Sequence, residues 1–146
     1  MIEPLRLSID VACSAERAFE VWTAETTSWW PADHTATGES GSRVVFEAGV
    51  GGGVYEVTAA GERVEWGEIL EWDPPRRLAY RWHLRVDRAD ATEVRIEFVP
   101  VGDAAARVDI EHVGWEALGA MGPDRRDANQ RGWSGLLPHF LAAAAR

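Results

Sequence analysis

The sequence contains no lysine. All fifteen basic residues are arginine, set against twenty-four Asp and Glu, and the net charge is −9. So acidic a chain repels phosphate backbones and anionic headgroups, which excludes nucleic acid and membrane surfaces as partners. Cys13 is the single cysteine, too few for an internal disulfide and in keeping with a reducing, cytoplasmic setting. Long apolar runs are missing as well: nothing reaches the ~18 residues of a membrane-spanning helix, and the N-terminal MIEPLRLSID has no apolar signal segment. His34, His83, His112 and His139 lack metal-site spacing, so neither a metal nor a cofactor is expected. The run Gly49-Val50-Gly51-Gly52-Gly53 has no following lysine or helix to make a phosphate loop, and reads as a hairpin turn.

What the chain has in excess is tryptophan, with eight in 146 residues. Each indole buries roughly 150–250 Å² when enclosed. The length suits one domain, residues 1–146, with enough apolar material for a real core.

The longest helical pattern lies at the end, from Pro123 to Arg146. Trp133, Leu136, Leu137, Phe140, Leu141 and Ala144 fall on one stripe of an amphipathic helix. Carried backwards, the same stripe meets Gln130, Asn129 and Arg126, so the inner face turns polar toward its start. Pro123 and Asp124 suit the first turn, and Pro138 is expected to kink the helix by removing a donor. Upstream, Leu5, Leu7, Ile9 and Val11 alternate as a strand. Ser14 then caps a short helix through Ala15, Ala18, Phe19 and Trp22, and a further short helical turn ends before Pro31. From Arg43 onward strands follow one another at hairpin spacing, with inward residues Val44 and Phe46; Val64, Trp66, Leu70 and Trp72; Leu78, Tyr80, Trp82, Leu84 and Val86; Val94, Ile96 and Phe98; and Val108, Ile110 and His112. These periods predict an α+β fold: a curved antiparallel sheet of about six to seven strands wrapped round a long C-terminal helix, with two short helices after the first strand.

The stretch Gly67-Glu68-Ile69-Leu70-Glu71-Trp72-Asp73-Pro74-Pro75-Arg76-Arg77-Leu78 resembles the SRPBCC superfamily, the START and birch-pollen-allergen-like helix-grip proteins. Within it, the chain is similar to the group named for homology to the activator of the heat-shock protein 90 ATPase. Ala18-Phe19, Trp29-Trp30-Pro31 with His34, Val50-Gly51-Gly52 before Tyr55-Glu56, His112-Val113-Gly114-Trp115 and Gly132-Trp133 carry the likeness along nearly the whole chain. Similar sequences often have arginine where Gly53 stands. The resemblance implies a helix-grip fold and a cavity under the long helix, in a superfamily of lipid carriers, hormone receptors and aromatase/cyclases.

Two polar residues sit on otherwise apolar faces. Glu68 shares the parity of Trp66 and Trp72, and His112 that of Val108 and Ile110; facing one cavity, they would make an acid–base pair. A bulge at Gly67 would instead turn Glu68 outward. Three functions fit the residues. The first is binding of a small hydrophobic or aromatic molecule, with Trp66, Tyr80, Trp82, Trp133 and Phe140 as walls, Trp30 at the mouth, and His112, Glu68 or Asn129 as polar anchors. The second is a cyclase or hydrolase in the same cavity with Glu68 or His112 as base. The third is a co-chaperone-like protein-interaction domain. Whether the protein is an enzyme, and whether it is a monomer or a homodimer, stays open at this point.

Overall fold

Connections of hairpin length leave sequence neighbours no choice but to pair side by side. In the computed structural model, which describes residues 2–146, they do so almost throughout. The elements are β1 (Leu5–Val11), α1 (Ala15–Thr23), 3₁₀ turns at Thr26–Ser28 and Ala32–His34, β2 (Arg43–Phe46), β3 (Gly53–Val57), β4 (Arg63–Asp73), β5 (Arg77–Trp82), a 3₁₀ turn at Arg88–Asp90, β6 (Thr92–Gly102), β7 (Ala105–Val113), a 3₁₀ segment Trp115–Met121, and α2 (Gly122–Ala144). The seven strands form one antiparallel sheet in the order β1-β7-β6-β5-β4-β3-β2, with β1 returning to the edge beside β7. The α+β helix-grip architecture expected from the sequence is the one observed.

Local chemistry sets the boundaries. The Ser14 hydroxyl accepts a bond from the Arg17 amide and starts α1, and Pro123 and Asp124 occupy the first turn of α2 as anticipated. Across its 23 residues α2 extends about 35 Å, and it runs on through Pro138. It buries Trp133, Leu136, Leu137, Phe140, Ala143 and Ala144 against the inner sheet face and α1. Leu141, placed on the inner stripe by sequence spacing, is 42% exposed, and the small Ala143 lies inside instead. Gln130 is exposed too, and Arg126 reaches away to donate to the main-chain oxygens of Glu3 (2.6 Å) and Pro4 (3.2 Å), tying the N-terminal segment to the helix.

β4 departs from simple alternation. Its pairing skips Trp66 against β3 and Leu70 against β5, so two irregularities shift the parity. Trp66 and Ile69 are buried as a result, whereas Leu70 and Trp72 are only half-buried. Gly67 sits where the strands approach most closely, since a Cβ there would come 1.8 Å from the Arg81 carbonyl oxygen. No helix among the described residues is long and apolar enough to cross a membrane.

Candidate ligand-binding site

On β5 strict alternation sends Tyr80 and Trp82 inward and Arg81 out, and β4 adds Trp66 beside them. The 3₁₀ turns after α1 fold Trp29 and Trp30 over this group, while α1 contributes Trp22 and α2 contributes Trp133 and Phe140. Their rings form one connected array. Trp66 lies 5.7 Å from Trp82 and 5.3 Å from Trp30; Tyr80 lies 5.7 Å from Trp82; Trp22 lies 5.2 Å from Trp29 and 4.8 Å from Phe140. Tilted and edge-on packing dominates, the arrangement that ring quadrupoles favour. At the open end the array reaches solvent in a cleft of about 60 Å³ lined by Trp30, His34, Trp82, Leu84, Asn129, Gly132, Trp133 and Leu136. A second hollow of about 30 Å³ adjoins it through Trp82, Leu84 and Asn129. Side chains thus occupy most of the space between sheet and helix.

His112 lies fully inside, on β7. The Trp133 indole N–H, which can only donate, points at His112 Nδ1 (3.1 Å), so Nδ1 is the acceptor nitrogen. In the neutral ring the proton is then on Nε2, which donates to the Thr92 hydroxyl at 2.6 Å. Burial pushes the His112 pKa down to about 3, which keeps the imidazole uncharged. Trp115 completes the knot, its ring 4.3 Å from the imidazole and its N–H on the His112 carbonyl oxygen at 2.9 Å. The histidine therefore joins β6, β7 and α2, with both nitrogens engaged.

A strap closes over the mouth. Trp30 Nε1 donates to the His34 carbonyl (3.0 Å), and the His34 ring abuts α2 so closely that a Cβ on Gly135 would lie 3.1 Å from its Nε2. Arg85, held at a left-handed φ of 63°, extends its guanidinium to the carbonyl oxygens of Thr35 (2.9 Å) and Asp33 (3.0 Å). Further along, the Glu56 carboxylate accepts from the Ala36 amide (3.0 Å) and the Thr37 hydroxyl (2.6 Å). Burial alone would raise the Glu56 pKa. Hydrogen bonds from the Thr37 hydroxyl and the Ala36 and Thr37 amides outweigh it and leave the group below its ordinary value. Glu56→Gln sets an amide donor against those donors. It is expected to lower stability by about 1–2 kcal/mol and to speed proteolysis between residues 35 and 42, as urea unfolding and limited digestion would report; unchanged digestion would mean the carboxylate does not hold the strap.

A family model described as activator of Hsp90 ATPase homolog 1-like protein matches residues 12–146. The chain belongs to this family. No curated protein matches the chain. Among solved structures it is similar to an anthrahydroquino-gamma-pyrone synthase, with 37% identity over 84% of each chain and a TM-score of 0.62. It is also similar to CalC, a self-sacrificing resistance protein from Micromonospora echinospora, with 26% identity over 95% of this chain and 92% of that one and a TM-score of 0.68. An HSP90 activator from Plasmodium falciparum, at 19% identity over 75% of this chain and 71% of that one with a TM-score of 0.53, shares the fold.

Within this Hsp90-activator-like domain the expected residues divide. Trp30, Trp66, Tyr80, Trp82, Trp133 and Phe140 come together in the aromatic array, and Asn129 lies at its mouth, its amide donating to the Arg125 carbonyl at 2.9 Å. Glu68 does not join them. The irregular pairing at Trp66 puts it on the outer face opposite Arg81, within 3.5 Å of Arg88, so the Glu68–His112 pair expected from alternation does not form. A side chain at Gly53 would likewise emerge outside, against Arg63 and Glu47, away from the array. Sequence reasoning passed over Glu56 and Thr92. Both stand two residues from an inward valine on the same strand, Val54 and Val94, so period-two counting could have found them.

Proposed function

We propose that this protein binds a planar aromatic small molecule, the size of a fused polycyclic ketide, between the inner sheet face and α2, entering past Trp30 and Trp82. The observation that carries it is the continuous array of rings running from buried Trp66 and Tyr80 to the solvent-facing cleft. Flat rigid walls suit a flat rigid guest. The 37% identical relative, named as synthase of an anthrahydroquino-gamma-pyrone, supports the same ligand class. Trp30, Trp66, Tyr80, Trp82, Trp133 and Phe140 are the walls in this reading, His112 braces one wall, and Asn129 meets the ligand at the rim. Sites for drug-sized ligands measure roughly 300–1,000 Å³. The cleft of about 60 Å³ must therefore widen, and in this reading it does so by displacement of the strap that carries Trp30 and His34. A single reduced thiol and a strongly acidic surface suit action in the cytoplasm.

Anthraquinones and flavonoids are expected to quench tryptophan fluorescence saturably and to raise the melting temperature, whereas fatty acids and steroids leave both unchanged. Absence of both responses to every planar aromatic tested would end this reading.

The synthase relative also favours a second reading, in which the bound molecule is cyclised. Tyr80 is the inward group suited to that role. Burial holds its phenol above the ordinary range, so at neutral pH it keeps its proton, is available as a hydrogen-bond donor to a ligand and does not act as a base. An enzyme alters its ligand and a carrier does not; recovery of the ligand unchanged after prolonged incubation would remove the enzymatic reading. For a protein-docking role the large exposed apolar residues offer little, since Val50, Val101, Met121 and Leu141 fall on separate elements.

A further inference from the structure

Three polar atoms inside the aromatic array have no hydrogen-bond partner among the described residues: Trp22 Nε1, Trp66 Nε1 and the Tyr80 hydroxyl. All three residues are 0% exposed. An unpaired buried donor costs roughly 1–3 kcal/mol, so folded proteins seldom tolerate one, and three within one array are a concentrated departure. The other tryptophans nearby show that indoles here do find acceptors: Trp29 bonds to the Val21 carbonyl (2.8 Å), Trp30 to that of His34 (3.0 Å) and Trp133 to the His112 side-chain Nδ1 (3.1 Å). The fourth unpartnered buried atom, Ser42 Oγ, lies beside Glu56 and outside the array.

Position makes the three donors useful together. Trp66 stands directly behind Trp30 and Trp82, the two rings that wall the mouth cleft. Tyr80 adjoins Trp82, and the Trp22 N–H lies beside the Tyr80 hydroxyl without completing a bond to it. A guest that parts Trp30 from Trp82 comes next against Trp66 and Tyr80, whose rings adjoin theirs.

We infer that Trp22, Trp66 and Tyr80 form a donor floor that recognises oxygen acceptors, the carbonyl or phenolic oxygens of a quinone-like ring system, at the buried end of the bound ligand. This inference rests on the aromatic-ligand reading above. It adds what the walls alone cannot supply. Rings stacked on rings select flatness; unpaired donors select oxygen, because an all-carbon guest leaves them unpaired and gains nothing from them.

The test uses two soluble probes of the same outline and charge, anthraquinone-2-sulfonate, which carries two ring carbonyls, and anthracene-2-sulfonate, which carries none. They are titrated into protein labelled with ¹⁵N-tryptophan, whose eight indole N–H signals are assigned with Trp22→Phe and Trp66→Phe variants. The quinone is expected to bind about tenfold tighter than the hydrocarbon, to shift the Trp22 and Trp66 indole signals downfield, and to lose about tenfold in affinity in Tyr80→Phe while the hydrocarbon loses none. Equal binding of both probes with unmoved Trp22 and Trp66 signals would overturn the donor floor and leave the aromatic-ligand reading standing. Binding of neither would overturn both.

Discussion

Replacing His112 by alanine is expected to cost about 3–5 kcal/mol of stability, more than any loss of surface charge here. Two costs combine. The Trp133 indole and the Thr92 hydroxyl lose their buried partner at once, and the ring that packs 4.3 Å from Trp115 leaves a hole between β7 and α2. Urea unfolding would measure it as a lowered midpoint at constant slope. His112→Asn, whose side-chain oxygen restores an acceptor for one partner at best, should fall between wild type and alanine. A loss under about 1 kcal/mol for His112→Ala would show that the imidazole does not hold the helix to the sheet. The same network explains why His112 makes a poor general base: the lone pair on Nδ1 is already taken, and no solvent reaches either nitrogen.

Period-two and period-3.6 spacing made the strand order and the long helix legible, because each element buries one face and the hairpin connections admit one way of pairing. The aromatic walls followed from that same alternation on β5, where Tyr80 and Trp82 keep perfect parity. Glu68 takes the outward alternative that a bulge at Gly67 allows, and for a physical reason: β4 pairs with two neighbours of different register, and the residue skipped on each side is absorbed by twist without any sequence punctuation except Gly67. Leu141 lies outside because a helix stripe is wider than its contact line, and Ala143 takes the inner place. The His112–Trp133 bond joins residues twenty-one positions apart on different elements, and no local pattern reports such a contact. The donor floor is of the same kind. Trp22, Trp66 and Tyr80 each read as ordinary core residues, and only their shared lack of partners makes them a site.

Acid should unfold the protein earlier than its carboxylates alone would. In the folded state His112 stays neutral down to about pH 3, whereas in the unfolded chain it takes its proton near 6.5. Below 6.5 the unfolded state therefore binds a proton that the folded state refuses, and stability falls with falling pH at about 1.4 kcal/mol per unit, a loss of about 4 kcal/mol by pH 3. The full stability is present above pH 6.5 and is lost going down. His83, whose pKa is also lowered by burial, adds in the same direction. Glu56, Glu47 and Asp109 have depressed carboxylate pKa values, so the stability they supply is present above the ordinary carboxylate range and lost only below it. The interval from pH 6.5 to 5 thus isolates the histidines. Across it, wild type is expected to lose about 2 kcal/mol in urea midpoints converted to free energy, His83→Gln nearly as much, and His112→Gln far less, although His112→Gln starts from a lower stability at pH 7.5. Parallel curves for wild type and His112→Gln would mean that His112 accepts its proton inside the fold. The aromatic enclosure would then be open enough for water to reach the imidazole, and the same opening would give a ligand its way in.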